Sequence, residues 1–194
     1  MPVIRAFVAI ELPDPILNCL DKVSLDLKKQ LENVPIRWVP AENIHLTLKF
    51  LGDVSEANLE VLKKILKSIG SNHRAFEISV GGLGAFPKAQ HARVIWIGLE
   101  VPPDLISLQH SLEIEAGRLG YAHEERPFSP HLTIGRVSRN PTAGDLNKLS
   151  NVLKSYKVGF LGVVQVQGIH LFRSDLHPSG AVYTKMFTVP FQAA

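Results

Sequence analysis

A four-residue phrase occurs twice in this chain: His45-Leu46-Thr47-Leu48 returns 86 positions later as His131-Leu132-Thr133-Ile134. The repetition reaches well beyond the phrase. Leu59, Leu62, Ile65, Leu66 and Ile69 follow the first copy at helical spacing, and Leu146, Leu149, Val152, Leu153 and Tyr156 repeat the same steps 87 positions on. Each set is the apolar stripe of a surface helix. Ahead of each phrase stands a strand-like run, Arg5 to Leu12 and Arg93 to Val101, closed by Pro13-Asp14 and Pro102-Pro103-Asp104. Proline and an acidic residue together are ordinary helix-start signals. They predict helices from Ile16 to about Leu31 and along Leu105, Leu108, Leu112 and Leu119. Further on, Val80 to Phe86 matches Val166 to Phe172 as a strand-like segment, and Ala181 to Val189 resembles Arg93 to Val101.

The grammar is therefore strand, helix, motif strand, helix, strand, run twice, with one strand appended. A tandem array needs more copies of a shorter unit, so that architecture is excluded. Two copies of a small α+β unit related by a pseudo-two-fold remain. The expected units are residues 1–92 and 93–179, with a closing strand at 181–190, and each is small enough that one bilobal domain over 1–194 is expected. Gly81-Gly82-Leu83-Gly84 follows a strand and leads to Pro87, not to a helix, so these glycines read as strand-end or bulge positions and not as a phosphate loop. Pro87 to Gln90 is the nearest thing to a hinge between the halves.

Composition narrows the partners. Of the 194 residues 21 are Lys or Arg and 18 Asp or Glu, a net charge of +3 that excludes a duplex-coating protein but suits capture of one or two phosphates. The lone Cys19 excludes an internal disulfide and a Cys-cluster metal site, and it reads as a small buried apolar residue. No apolar run approaches the roughly 18 residues of a membrane span. A reduced, cytoplasmic, monomeric protein without membrane association is expected.

In a strand, alternate side chains share a face, so His45 points with Thr47 and His131 with Thr133, while Leu46, Leu48, Leu132 and Ile134 anchor the opposite side. One exposed His-x-Thr is an unremarkable solvated face. Two in register place an imidazole and a hydroxyl on each side of a shared cleft. Cleavage of a phosphodiester by water needs a base for the nucleophile and an acid for the leaving oxygen, in line across phosphorus. Histidine, with an ordinary pKa of about 6.5, serves either role near neutrality. Catalytic zinc usually takes three protein ligands. Neither motif strand offers a second ligand on its face, since position 49 is Lys and position 135 is Gly, so no metal and no cofactor are expected. A serine-hydrolase elbow is absent from the sequence.

Arg5-Ala6-Phe7-Val8-Ala9-Ile10, Arg37-Trp38-Val39-Pro40 leading to His45-Leu46-Thr47-Leu48-Lys49-Phe50-Leu51-Gly52, Phe128-Ser129-Pro130 leading to His131-Leu132-Thr133-Ile134-Gly135-Arg136, and Leu171-Phe172-Arg173-Ser174-Asp175-Leu176 with Gly180 and Tyr183 carry a resemblance over nearly the whole chain. The sequence resembles the 2H phosphoesterase superfamily, in particular its bacterial and archaeal RNA 2′,3′-cyclic phosphodiesterase branch, once called 2′-5′ RNA ligases. The resemblance implies antiparallel sheets lining a central cleft with helices outside. It also implies metal-independent hydrolysis of 2′,3′-cyclic phosphate at RNA ends, or on small cyclic-phosphate nucleotides, to leave a 2′-phosphate. Carried over, His45 is the proton donor, His131 the proton acceptor, and Thr47, Thr133 and Arg136 hold the phosphate. Pseudo-symmetry alone leaves the acid and base order open. Simple alternation turns Arg136 away from His131, so a bulge or strand end at Gly135 must intervene. Phe7, Trp38 and Tyr183 are either base-stacking or core aromatics. Two other readings keep the cleft: 2′-5′ ligation of tRNA halves at the same site, and a non-catalytic RNA- or nucleotide-binding module.

Overall fold

The computed structural model describes residues 3–178 and 180–192. Along the chain lie β1 (Val3–Ile10), α1 (Asp14–Gln30), β2 (Ile36–Trp38), β3 (Leu46–Ser55), α2 (Glu56–Ser71), β4 (Phe76–Phe86), β5 (Val94–Leu99), α3 (Pro103–Arg118), β6 (Leu132–Val137), α4 (Ala143–Ser155), β7 (Phe160–Val166), β8 (Gly168–His177) and β9 (Gly180–Pro190). The helices start where the sequence signals them: Pro13 and Pro102 sit at N-caps with Asp14 and Asp104 in the first turns. Thr142 and Asp145 close a reciprocal capping box on α4. The repeated stripes face inward, with Leu62, Leu66 and Ile69 of α2 and Leu149 and Leu153 of α4 buried. Each such side chain contributes roughly 1.5–3 kcal/mol by leaving water.

The strands form two antiparallel sheets, ordered β3-β1-β8-β9 and β2-β6-β5-β4-β7. This is the expected α+β fold, bilobal and duplicated, with the sheets lining a central cleft and helices outside. The halves exchange strands. β4 of the first half pairs with β5, while β8 of the second half pairs with β1 from Ala9↔His170 to Ala6↔Arg173. β2 crosses over as well and pairs with β6. Each sheet is thus completed by the other half of the chain.

Two sequence expectations change. The run Val166 to Phe172 is not one strand: it divides at Gln167, with β7 bonded to β4 in one sheet and β8 bonded to β1 in the other. Gly168 starts β8 where the chain presses so closely on β9 that an added Cβ meets the Val189 carbonyl oxygen. Pro87 to Gln90 is not a hinge, because it lies in the connection of a hairpin whose strands pair through Phe86↔Val94 and whose Arg93 amide donates to the Phe86 carbonyl at 2.7 Å. Gly81 and Gly82 do mark a bulge, with the β4–β5 register slipping between Val80 and Leu83 and Gly82 at φ +80°.

Lys49 also departs from simple alternation. Instead of sharing the His45 face it is 5% exposed, and its ammonium donates to Glu113 Oε1 and to the Ala122 carbonyl, each at 2.6 Å. Glu113 in turn accepts from the Glu124 amide at 2.8 Å. This cluster fastens β3 to α3 and to the segment that leads into the second motif. Burial alone raises the Glu113 pKa. The Lys49 hydrogen bond, the Glu124 amide and the Lys49 and His123 charges outweigh it and hold the carboxyl below its ordinary range.

Replacing Lys49→Met should strip that carboxylate of its ammonium partner and lower stability by roughly 1.5–3 kcal/mol in chemical denaturation. Because the folded carboxyl titrates below its unfolded value, the pair's contribution is full above the ordinary glutamate pKa and is lost as pH falls through the depressed one. The stability gap between wild type and Lys49→Met should therefore narrow in acid.

Candidate active site

Both motif strands carry the same burial pattern, buried, half-buried, buried, buried, exposed, buried, from Leu46 to Leu51 and from Leu132 to Val137. Two consecutive buried residues break the period of two, and the registers give the reason. β1 pairs Ala9↔Thr47 and then Val8↔Lys49, leaving Leu48 as an extra residue. β5 pairs Trp96↔Thr133 and then Ile95↔Gly135, leaving Ile134 extra. A bulge of one residue re-aims every side chain after it. Lys49 and Gly135 turn inward, and Phe50 and Arg136 turn back to the face of Thr47 and Thr133. Arg136 thus stands on the motif face by the device that the sequence required at Gly135.

Each histidine sits one residue ahead of its strand and is held by the backbone carbonyl two residues upstream. His45 Nδ1 lies 2.9 Å from the Asn43 oxygen, and His131 Nδ1 lies 2.7 Å from the Ser129 oxygen. A carbonyl only accepts, so Nδ1 carries the proton in both rings and Nε2 is the free basic nitrogen. Aromatic rings fix the imidazole planes. Phe7 stacks on His45 at 4.7 Å between centroids, and Tyr183 meets it edge-on at 5.1 Å. In the second half Phe86 meets His131 edge-on at 4.9 Å. Phe7, Ala9 and Phe172 form a small apolar cluster under the first histidine, apart from the main core.

Electrostatics couples the two rings. Burial is the largest influence on each and disfavours the cation, the Asn43 and Ser129 carbonyls oppose it, and Arg136 adds its positive charge against both. The His45 pKa falls to about 4, and that of His131 falls below the ordinary imidazole value. One guanidinium is therefore close enough to act on both imidazoles. Both rings are thus held toward the neutral form, with the Arg136 charge felt at each.

Two cavities adjoin these residues. One, of about 430 Å³, is bounded by Thr47, Phe50, Phe86, Arg126, Phe128 and His131. The other, of about 280 Å³, is bounded by Arg37, Pro40, Asn43, Arg136, Val182 and Tyr183. Thr47 and His131 thus meet at one opening, Arg136 links them to the His45 side, and Thr133 lies on β6 between His131 and Arg136. Of the aromatics singled out in the sequence, Phe7 is 2% exposed and serves the His45 ring, whereas Trp38 lies across Gly135 and also borders the second cavity. Tyr183 touches both His45 and the second cavity. Sequence reasoning did not find the Asn43 and Ser129 tethers, because a backbone carbonyl leaves no trace in residue type. Nor did it find Phe86 and Phe172, although the offset of 86 that pairs them was visible. Among the described residues no three His, Cys, Asp or Glu side chains gather as a metal site, and no helix is long and apolar enough to cross a membrane.

The family model described as LigT-like phosphoesterase matches the chain twice, over residues 10–96 and 97–183. The RNA 2′,3′-cyclic phosphodiesterase of Methanothermobacter thermautotrophicus is 36% identical over 94% of this chain and 96% of its own. That of Archaeoglobus fulgidus is 34% identical over 92% and 96%. Among solved structures, Escherichia coli LigT in complex with 3′-AMP superposes with a TM-score of 0.75 at 26% identity, covering 98% of this chain and 99% of that one.

Titration of the ring resonances by NMR should give a His45 midpoint near 4 and a His131 midpoint below the ordinary imidazole value. An unfolded chain binds a proton at position 45 that the folded chain does not between pH 4 and 6.5, so stability should rise with pH across that window. Inorganic phosphate beside Arg136 should move both midpoints upward. A His45 midpoint near 6.5 in the free protein would contradict the site described here.

Proposed function

The chain belongs to the LigT-like phosphoesterase family, and on that footing we propose that it hydrolyses 2′,3′-cyclic phosphate at RNA ends to a 2′-phosphate without a metal. The observation that carries the reading is the single Arg136 charge acting on two neutral, backbone-tethered imidazoles. A cyclic phosphate is a monoanion. Beside Arg136 it offsets the guanidinium charge and favours a proton on a neighbouring ring.

In this mechanism His131 Nε2 removes a proton from water as the water oxygen attacks phosphorus. The bond from phosphorus to O3′ breaks on the opposite side, and His45 Nε2 delivers its proton to the departing oxygen. The products are a 3′-hydroxyl and a 2′-phosphate. The order follows the family resemblance, and the anion beside Arg136 favours the proton that His45 must carry. Each proton transfer typically contributes about 10²–10⁴-fold. Thr47 and Thr133 present hydroxyl donors to the non-bridging oxygens, whose charge is best held by groups already in place. Arg136 adds the charge-assisted contact.

Incubation with a 2′,3′-cyclic mononucleotide in EDTA should yield the 2′-phosphate. His45→Ala and His131→Ala should each lower kcat about 10²–10⁴-fold with unchanged thermal melting. A strict metal requirement, or full activity in either variant, would overturn the proposal.

A further inference from the structure

Arg37 on β2 stands directly opposite Arg136 on β6 in an antiparallel pair. Residues so placed share a face, with Cα atoms about 4.5–5.5 Å apart. Like charges directly opposite destabilise a sheet, yet both arginines are exposed and both border the cavity of about 280 Å³. Three other arginines have side-chain partners. Arg93 donates to the Ser138 and Arg139 carbonyls, Arg118 pairs with Glu115, and Arg173 pairs with Asp175. Among the described residues neither Arg37 nor Arg136 takes part in an ion pair or side-chain hydrogen bond. Two unpaired guanidiniums on one face, bordering one cavity, form a site for two negative charges.

The charges are not equivalent. Arg136 acts on both imidazoles and so belongs to the reacting phosphate, whereas Arg37 figures in the electrostatics of neither ring. Arg37 lies across the strand pair from Arg136, beside Pro40, Asn43 and the Gly180–Tyr183 edge of β9. The other cavity at the motif, which Arg126 also borders, carries Phe50 at the position that corresponds to Arg136, with Phe86 and Phe128 beside it. The aromatic wall of that cavity thus suits a flat group, and the side with two cross-strand arginines suits a second phosphate one step along a chain.

The geometry points to Arg37 as the binding residue for the phosphodiester immediately 5′ of the terminal nucleotide, which makes the enzyme selective for RNA ends over free cyclic mononucleotides. This inference rests on the cyclic phosphodiesterase reading above. Arg37 is not part of the proton-transfer machinery, so a substrate without that phosphate does not need it.

The test compares three substrates: a 2′,3′-cyclic mononucleotide with a 5′-hydroxyl, the same nucleotide with a 5′-phosphate, and a dinucleotide ending in a 2′,3′-cyclic phosphate. Arg37→Met should lower kcat/KM for the dinucleotide about 10- to 100-fold, as expected for one charge-assisted contact, and leave the 5′-hydroxyl mononucleotide within two-fold. The salt dependence of the dinucleotide reaction should lose a slope of about 0.7, the value for one phosphate contact to a single strand. Arg37→Lys should recover part of the loss. Equal losses on all substrates, no loss on any, or a loss confined to the 5′-phosphorylated mononucleotide would overturn the assignment. A wild-type enzyme that hydrolyses none of the three would overturn the cyclic phosphodiesterase reading, and this subsite with it.

Discussion

The extra residue that follows each motif threonine is the constraint on which the site depends. Without Leu48 and Ile134 outside the register, the motif strands keep a strict period of two, and Phe50 and Arg136 face the helices. With them, Arg136 returns to the face of Thr133 and brings its charge within reach of both histidines. The same bulge sends position 49 inward. There the first half spends it on a buried Lys49 held by Glu113 and the Ala122 carbonyl, and the second half has Gly135, across which Trp38 lies. One backbone irregularity, used twice, serves packing in one lobe and charge placement in the other.

Strand exchange supplies the rigidity such a site needs. β8 lies beside β1, and β4 lies beside β5, so the platform under each histidine is built from both halves of the chain. Phe172 from β8 stacks on Phe7 at 5.3 Å beneath His45, and Phe86 from β4 meets His131. The imidazoles are therefore fixed from below by aromatic contact and from the side by the Asn43 and Ser129 carbonyls. Depriving both rings of water favours their neutral form.

Much of this was legible in the residues. The helix stripes were, because 3.6-residue periodicity is a local property, and Leu62, Leu66, Leu149 and Leu153 face inward as their spacing requires. The bulge is half legible: the need for one at Gly135 follows from placing Arg136 near His131, but its twin at Leu48 has no such cue, and strict alternation puts Lys49 on the wrong face. The division of the run from Val166 to Phe172 was not legible, because an unbroken strand-like sequence is compatible with either sheet. Gly168 was a weak signal of it, a glycine at a close backbone approach to Val189.

By itself the sequence determined the duplicated α+β plan, the pairing of two imidazoles with two hydroxyls on the motif strands, and the helices between those strands, since each depends on spacing along the chain. The tertiary structure alone decided which half completes which sheet, that Arg37 stands opposite Arg136, and that His45 is the more strongly perturbed histidine. Those outcomes depend on which distant segments share a hydrogen-bond ladder and how much water they exclude, and neither quantity is carried by residue type or spacing.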